Sequence, residues 1–382
     1  MKNKSECCGC TACQQICPMQ CITMELDQEG FLYPKIDESI CIQCNKCEDI
    51  CPVRHSDFLK GKTDAYVGYS INEDIRKSSS SGGIFSLVAE FVIKQKGIVF
   101  GAAFNEEFIV HHIYVESEEE LYKLRGSKYV QSILENTYAE AKKFLKNDRL
   151  VLFSGTECQI AGLKKYLGKE YNNLLTLDVL CYGVPSPKIW KLYLEDQEKK
   201  YDSKISSVQF RNKELGWKKF SVRIQFENGK EYSVPFSDDK FMNMFLSNID
   251  LRPSCHNCQF KDFPRISDIT IGDSWGIEKY MPEMDDDQGT SVILIHTDKG
   301  RKLLDEIQKC MILKKTELDK ILPSSADSRK SVSKHPNREK YWADLQAGKS
   351  LEEIYKNVKK NIGQKVLGFI RIKIKRWKGY SK

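Results

Sequence analysis

The chain has 382 residues, 41% of them apolar, and a formal net charge of +7; at roughly 150 residues per domain this is enough for two or three domains with real cores. No stretch approaches 18 uncharged apolar residues, which argues against a membrane span, and the fifteen cysteines, ten of them at or before residue 51, follow no apolar leader, so a reducing, cytoplasmic setting is expected rather than a secreted disulfide scaffold. Nucleic acid is not indicated either, because residues 359–382 hold nine Lys and Arg and no acid, leaving the preceding 358 residues at −2.

Cys7, Cys10, Cys13 and Cys17, followed by Pro18, spell C-x2-C-x2-C-x3-C-P, and Cys41, Cys44, Cys47 and Cys51, followed by Pro52, repeat it 34 residues later. This is the ligand run of a bacterial two-cluster ferredoxin, in which the fourth cysteine of each run serves the other cluster. Cys7, Cys10, Cys13 and Cys51 are therefore expected on one 4Fe-4S cluster and Cys41, Cys44, Cys47 and Cys17 on the second. Two structural zinc sites would not require the doubled return through Cys-Pro. Cys8 and Cys21 fall outside the runs and read as small packing residues, and His55 as a solvated side chain.

A polar linker, Phe58 to Asp64, leads to an alternation of strand and helix patterns. Strands are predicted at Ala65 to Ser70, Gly97 to Phe104, Ile109 to Glu116, Leu150 to Ser154 and Leu174 to Leu180, and helices at Ile84 to Lys94, Ile133 to Lys146, Gln159 to Leu167 and Pro187 to Lys199. Short alternating strands follow from Ile205 to Pro235, turning at Asn228 and Gly229; two more strands are predicted at Ile269 to Ile271 and Ser291 to His296, and a helix at Lys299 to Cys310. The class is α/β (α+β), with the ferredoxin domain in residues 1–60, a core whose two parts are 65–148 and 149–325, and a helical basic tail in 326–382. In that tail Ile354, Val358, Ile362, Val366, Ile370, Ile374 and Trp377 make an apolar stripe flanked by cations, suited to a partner or to the inner face of a membrane as a peripheral anchor, with an ordinary solvated helix as the alternative.

No phosphate loop of the G-x-x-x-x-G-K-[ST] kind and no G-x-G-x-x-G is present. The Gly-rich candidate is Ser78 to Gly83 before a predicted helix, where hydroxyls and free N–H groups suit a phosphate or a flavin edge, or simply a turn. Cys158 and Cys181 each follow a predicted strand of the α/β core, and Cys255 and Cys258 form a C-x2-C pair on a loop. Four thiolates from three loops could hold a third 4Fe-4S cluster, the economical occupant here; zinc, a redox C-x2-C or buried thiols are the alternatives. Cys310, on a helix, reads as core.

The stretches Lys77 to Ser86, Leu124 to Ser132, Phe153 to Leu167, Leu180 to Trp190, Phe210 to Trp217 and Arg252 to Gly276 resemble, in order, the beta subunits of the coenzyme F-420 hydrogenase and dehydrogenase family. The resemblance implies a flavoprotein in which FAD beside an intrinsic 4Fe-4S cluster exchanges electrons with an organic two-electron acceptor or donor. In archaeal members this is the deazaflavin coenzyme; other members reduce unrelated compounds, and bacterial relatives occur among cell-surface polysaccharide genes. It makes Ser80, Ser81, Gly82, Gly83, Gly126, Ser127, Lys128 and Tyr129 the flavin-site candidates, and Cys158, Cys181, Cys255 and Cys258 the ligands of the third cluster. Two positions depart from the family pattern, Glu157 in place of Pro and Tyr182 in place of His, and both flank expected ligands. Asp273 and Trp275 either touch flavin or shape their turn. No proton donor is assigned, with Lys128, Tyr129 and Asp273 as candidates.

The expected activity is an iron-sulfur and flavin-dependent oxidoreductase that takes electrons from an external one-electron carrier or a redox partner subunit. The alternatives are an electron-transfer subunit without substrate chemistry of its own, or a ferredoxin-dependent reductase in cell-surface polysaccharide biosynthesis.

Overall fold

The structure, a computed structural model, describes residues 3–55, 61–323, 326–356 and 358. In the head, α1 (Ala12–Ile16) and the antiparallel pair β1 (Ile22–Leu26) and β2 (Leu32–Ile36) precede α2 (Lys46–Asp49). The sequence repeat is a conformational one. Thr11 and Asn45, 34 residues apart, both enter their helical turn from the left-handed region, at φ 58° and 59°, so each cysteine run curls back on itself in the same way.

The body is built on an eight-stranded mixed sheet. In chain order it uses β3 (Asp64–Ser70), β4 (Ile98–Phe104), β5 (Val110–Val115), β6 (Val151–Gly155) and β7 (Leu174–Val179); β8 (Ile205–Asn212), β9 (Ser221–Phe226) and β10 (Glu231–Pro235) form a separate antiparallel sheet; β11 (Ile269–Asp273), β12 (Ser291–Ile295) and β13 (Met311–Thr316) return to the first. The order is β13-β3-β12-β11-β7-β6-β4-β5, parallel from β11 to β4 and antiparallel at both flanks. Strands from before and after residue 149 thus interleave in one sheet.

Alternation along the central strands fills two layers. Val99, Leu152 and Leu177 face Val88 and Val92 of α4 (Ile84–Lys94) and Leu303 and Leu304 of α9 (Asp298–Ile307). Ile98, Phe100, Val151 and Phe153 point the other way, onto Tyr138 and Leu145 of α5 (Thr137–Lys146) and Ile160 and Leu163 of α6 (Glu157–Leu167). A smaller core sets Ile321 of α10 (Leu318–Ile321) with Trp217 and Val292. Another joins α7 (Pro187–Tyr201), the small sheet and α8 (Lys240–Leu246) to α11 (Arg338–Gln346).

Three elements differ from the sequence reading. A short helix, α3 (Glu73–Ser78), precedes the Ser/Gly turn, capped by the Asn72 side chain on the Ile75 N–H. Helix α5 begins at Thr137 rather than Ile133, because the backbone of Ile133 is engaged by β5: its N–H donates to Val110 and its carbonyl accepts from His112. The apolar stripe of the tail begins as core, since Ile354 and Val358 are buried with Tyr341 and Trp342; Ile362 to Trp377 lie outside the described residues. Among the described residues no helix is long and apolar enough to cross a membrane.

The head is clasped to the body by buried cations. Arg252, with 0% exposure, donates from Nε to the Cys7 carbonyl at 2.8 Å, from one terminal nitrogen to Gln131 Oε1 at 2.8 Å and from the other to the Leu32 carbonyl at 2.9 Å. Arg338 forms a bidentate pair with Glu29 of the head, and Ser186 Oγ donates to the Glu29 carbonyl. At Gly30, in the left-handed region, an added Cβ would fall 2.4 Å from Lys188 Cβ, so the hairpin lies flat on the start of α7.

Beside this clasp Asp250 is fully buried with neither carboxylate oxygen hydrogen-bonded. Burial pushes its carboxyl up to about 7. Because the folded chain holds this proton more tightly than the unfolded chain, the contribution to stability is complete below pH 4 and is lost as pH rises through 7. Asp250→Asn is therefore expected to gain stability relative to the native chain as pH rises, by on the order of 2 kcal/mol between pH 5 and pH 8.5. Parallel thermal melts at the two pH values check this.

Candidate iron-sulfur and flavin sites

Within the head, Cys7, Cys10, Cys13 and Cys51 line one cavity of about 240 Å³, walled on the other side by Ile22, Met24 and Tyr33. These are the four cysteines expected on one cluster, the last of them from the second run. Cys13 has Cys7 and Cys51 as electrostatic neighbours, and burial pushes its bare thiol up to about 12. Around the other expected position, Cys17 neighbours Cys47, and Cys21 touches Cys17, Sγ to Sγ 3.4 Å, and Cys41. Cys44 is exposed there, so this end of the head faces solvent. His55 is exposed as well, and Cys310 packs against the core under α4 and α9.

The body thiols meet at the carboxyl ends of two adjacent parallel strands. Strand β6 runs into Thr156, Glu157 and Cys158, and β7 into Leu180 and Cys181; Cys255 and Cys258 come from the 3-10 turn Pro253–Asn257 and the residue after it. All four line a cavity of about 50 Å³ against the head. Burial pushes the Cys181 thiol up to about 12 and raises Cys255 and Cys258 too. Metal coordination reverses that balance, since a bound cation deprotonates its thiol ligand outright. Among the described residues no three His, Cys, Asp or Glu side chains converge as around a single ion.

Three buried cations share this cavity: Arg252, Lys261 and Arg265. Lys261 Nζ donates to the carbonyls of Cys181 at 2.6 Å and Tyr182 at 2.9 Å, and to that of Asp327 at 3.0 Å, which fixes the backbone that presents Cys181. Arg265 pairs with the fully buried Asp178. A cluster held by four thiolates is anionic, and a cavity of four thiols walled by three cations suits that charge. Sequence reasoning misses these cations, although Arg252 and Lys261 flank the C-x2-C pair at three residues on either side.

The two departures from the family pattern have structural roles. Glu157 is buried; its Oε1 accepts the Ile266 N–H at 2.6 Å, its Oε2 has no partner, and burial together with the Asp178 carboxylate pushes it up to about 8. Tyr182 donates from its hydroxyl to Asn248 at 2.7 Å and meets Phe245 edge-on, so it braces the far wall.

The two glycine-bearing flavin candidates come together. Ser80 Oγ accepts the Ser127 N–H at 2.7 Å and lies 3.0 Å from the Ser127 hydroxyl. Most hydroxyls of the first loop are used internally, however: Ser78 and Ser79 bond back to carbonyls of α3, and Ser81 donates to Thr290. The Gly82 N–H donates to Ser291 Oγ, and a Cβ on Gly82 would meet the Gly68 carbonyl at 2.6 Å, so this glycine serves close packing on β3. Gly83 starts α4 in the left-handed region at φ 88°.

What the pair of loops presents is cationic and aromatic. Arg211, on β8, is buried and donates to Asp273 through both terminal nitrogens at 2.8 and 3.0 Å, to the Tyr129 hydroxyl at 3.1 Å and to the Ser80 carbonyl at 3.0 Å. Burial alone would lower its pKa, but Asp273 outweighs burial and holds the guanidinium charged. Its Nε has no partner. Asp273 also accepts from Trp217 Nε1 at 2.9 Å, so both Arg211 and Trp217 engage its carboxylate. Trp275 is 48% exposed, stacks on Trp217 at 4.4 Å between centroids and lies 5.1 Å from the Arg211 guanidinium. Lys128 is half-buried, donates to the carbonyls of Arg125 and Gly126, and burial lowers it to about 7. A Cβ on Gly126 would meet nothing within 4 Å, which leaves the space above that turn open. An unpartnered guanidinium N–H, a lysine, an exposed indole and an open glycine turn suit a flat anionic cofactor such as FAD.

Residues 6–55 match the family model of the 4Fe-4S dicluster domain, and residues 148–321 match that of the C-terminal region of the coenzyme F420 hydrogenase/dehydrogenase beta subunit. Residues 148–321 are thus similar to the C-terminal region of the coenzyme F420 hydrogenase/dehydrogenase beta subunit. The chain carries a 4Fe-4S dicluster domain ahead of a mixed α/β body and is an iron-sulfur electron-transfer oxidoreductase that resembles this beta subunit. Among solved structures it is similar to a chain of the F420-reducing NiFe hydrogenase complex from Methanosarcina barkeri, in a xenon-derivatised form, at 16% identity over 80% of this chain and 92% of that one, with a TM-score of 0.45. No curated protein sequence matches it.

Proposed function

We propose that this chain passes electrons between an external one-electron carrier and an organic two-electron acceptor or donor, using two 4Fe-4S clusters in the head, a third held by Cys158, Cys181, Cys255 and Cys258, and FAD at the Ser80 and Gly126 loops. The observation that carries this reading is the contiguity of the two thiol cavities, which share Cys8 and Val53 in their walls. FAD, when bound, supplies the exchange between one- and two-electron chemistry.

The protein's own contribution is positional and electrostatic. Cys44 keeps the outer end of the head open to a carrier. Arg252, Lys261 and Arg265 offset the anionic charge of the body site, and Arg211, with Asp273, fixes the two flavin loops against each other. Lys128 faces the same turn as a cation whose charge is set near neutrality.

Protein purified without oxygen is expected to contain about twelve irons and one FAD. Iron without flavin would leave an electron-transfer subunit with no substrate chemistry of its own. Lys128→Gln is expected to weaken FAD binding about tenfold at pH 6, the worth of one charge-assisted hydrogen bond, and less at pH 8.5, where the native amine has lost its proton. Titration of the apoprotein by flavin fluorescence at both pH values checks this.

A further inference from the structure

Three cysteines fall outside the ligand sets, and one of them stands at the seam between head and body. Cys8 lines both cavities. It shares the walls of the head cavity with Cys10, an expected ligand there, and those of the body cavity with Cys158, an expected ligand there, and the two are its nearest electrostatic neighbours. Cys21 and Cys310 have no such placement: the first sits beside Cys17 and Cys41 within the head and the second in the body core.

The backbone around Cys8 is held from the body side. Arg252 donates to the Cys7 carbonyl at 2.8 Å, and Gln131 Nε2 lies 3.4 Å from the Cys8 carbonyl. Gly9 follows at φ 73°, where a Cβ would fall 2.6 Å from Gln131 Nε2 and 2.9 Å from the Arg252 guanidinium. Behind Cys10, a Cβ on Gly162 of α6 would fall 2.8 Å from Cys10 Cβ, so the head is pressed onto this helix without a gap. The Arg252 guanidinium also lies 3.7 Å from Cys7 Sγ. The turn Cys7 to Cys10 is therefore set against Cys158 by packing and hydrogen bonds on both sides.

We propose that Cys8 is the positioning residue for electron transfer between head and body. Its thiol donates a hydrogen bond to a ligand sulfur at this seam and completes a sulfur-to-sulfur contact from Cys10 to Cys158. One electron crosses in either direction; one site is oxidised as the other is reduced, no bond is made or broken, and Cys8 keeps its proton. A donor to a ligand sulfur stabilises the more negative, reduced state of a cluster, so its removal lowers that cluster's potential. This inference rests on the three-cluster reading proposed above.

The test is a redox titration of the anaerobically purified full chain, followed by electron paramagnetic resonance, with iron counted in each sample. Cys8→Ala is expected to keep about twelve irons and to lower one cluster potential so that the electron's distribution across the seam changes about tenfold, which is 59 mV for a one-electron couple. Cys8→Ser, which retains a donor, is expected to lie near the native protein, and Cys8→Val gives the Ala readout without leaving a cavity. Unchanged potentials with full iron in the Ala and Val variants would make Cys8 a packing residue and overturn the proposal. Loss of about four irons in all three variants would make Cys8 a ligand and overturn it as well. Only eight irons in the native protein would defeat the three-cluster reading itself, independently of any variant.

Discussion

Replacing Cys255 and Cys258 together by Ser is expected to remove about four of about twelve irons and to leave the head clusters in place. The two thiols come from one 3-10 turn and the residue after it, while Cys158 and Cys181 follow β6 and β7, so the double change takes half of the body site and none of the head. The remaining pair cannot hold a cubane, because each of its four irons needs a ligand. Head thiols are supplied by a separate fold, with Cys7, Cys10, Cys13 and Cys51 around their own cavity. Iron analysis and the resonance spectrum of the reduced protein read the result directly. A double variant that retained all its iron would sink the assignment of a third cluster to these cysteines. The same variant should transfer electrons from reduced head clusters to bound FAD at least a hundredfold more slowly, equivalent to about 2.7 kcal/mol in barrier, since the shared wall at Cys8 would then lead to an empty site.

Arg252→Ala is expected to be the most destabilising single change at the seam. The guanidinium is fully buried and bonds the carbonyls of Cys7 and Leu32 and the side chain of Gln131, so its removal leaves three half-buried acceptors without donors. Each such group costs about 1–3 kcal/mol when left unpaired. The sum, on the order of 3–5 kcal/mol, is a large part of the stability of a typical domain. The loss should appear first as release of the head. Limited proteolysis that separates the head from the body, with iron retained in the short fragment, is the expected pattern. Arg252→Lys keeps the charge but only part of the bonding, and should fall between the two. If the Ala variant melted with the native protein, the clasp described here would be of no energetic consequence.

Much of this architecture is legible in the sequence because its signals are local. The doubled C-x2-C-x2-C-x3-C-P run picks out eight expected ligands by spacing alone, since a thiolate every third residue follows one curled turn. Helix α4 is predicted at its observed bounds, Ile84 to Lys94, because its apolar residues recur at helical spacing after a glycine start. The beginning of α5 differs for a reason no local pattern carries: Ile133 gives its backbone to a strand more than twenty residues earlier in the chain. Likewise Ile354 and Val358, part of a stripe that looks outward-facing in sequence, are buried because α8 and α11 supply a surface for them.

The candidate sites divide in the same way. Asp273 reads from sequence as a possible proton donor, yet Arg211, 62 residues away, takes both of its oxygens. The serines of the Ser78 to Gly83 turn read as ligand donors, yet α3, Ser127 and Thr290 occupy four of their hydroxyls. Hydroxyl and carboxylate groups announce their chemistry in a sequence but not their partners, and the partners decide whether the chemistry is free for a ligand.

By itself, then, the sequence determined which residues could hold iron and in what sets, because cluster ligation is a matter of short-range spacing and residue type. Only the tertiary structure decided what joins those sets. It brought Cys8 within reach of both Cys10 and Cys158, and it placed Arg252, Lys261 and Arg265 around four thiols from three separate loops. Such arrangements depend on which strands lie side by side and on how the head seats against α6, and these follow from packing across the whole chain.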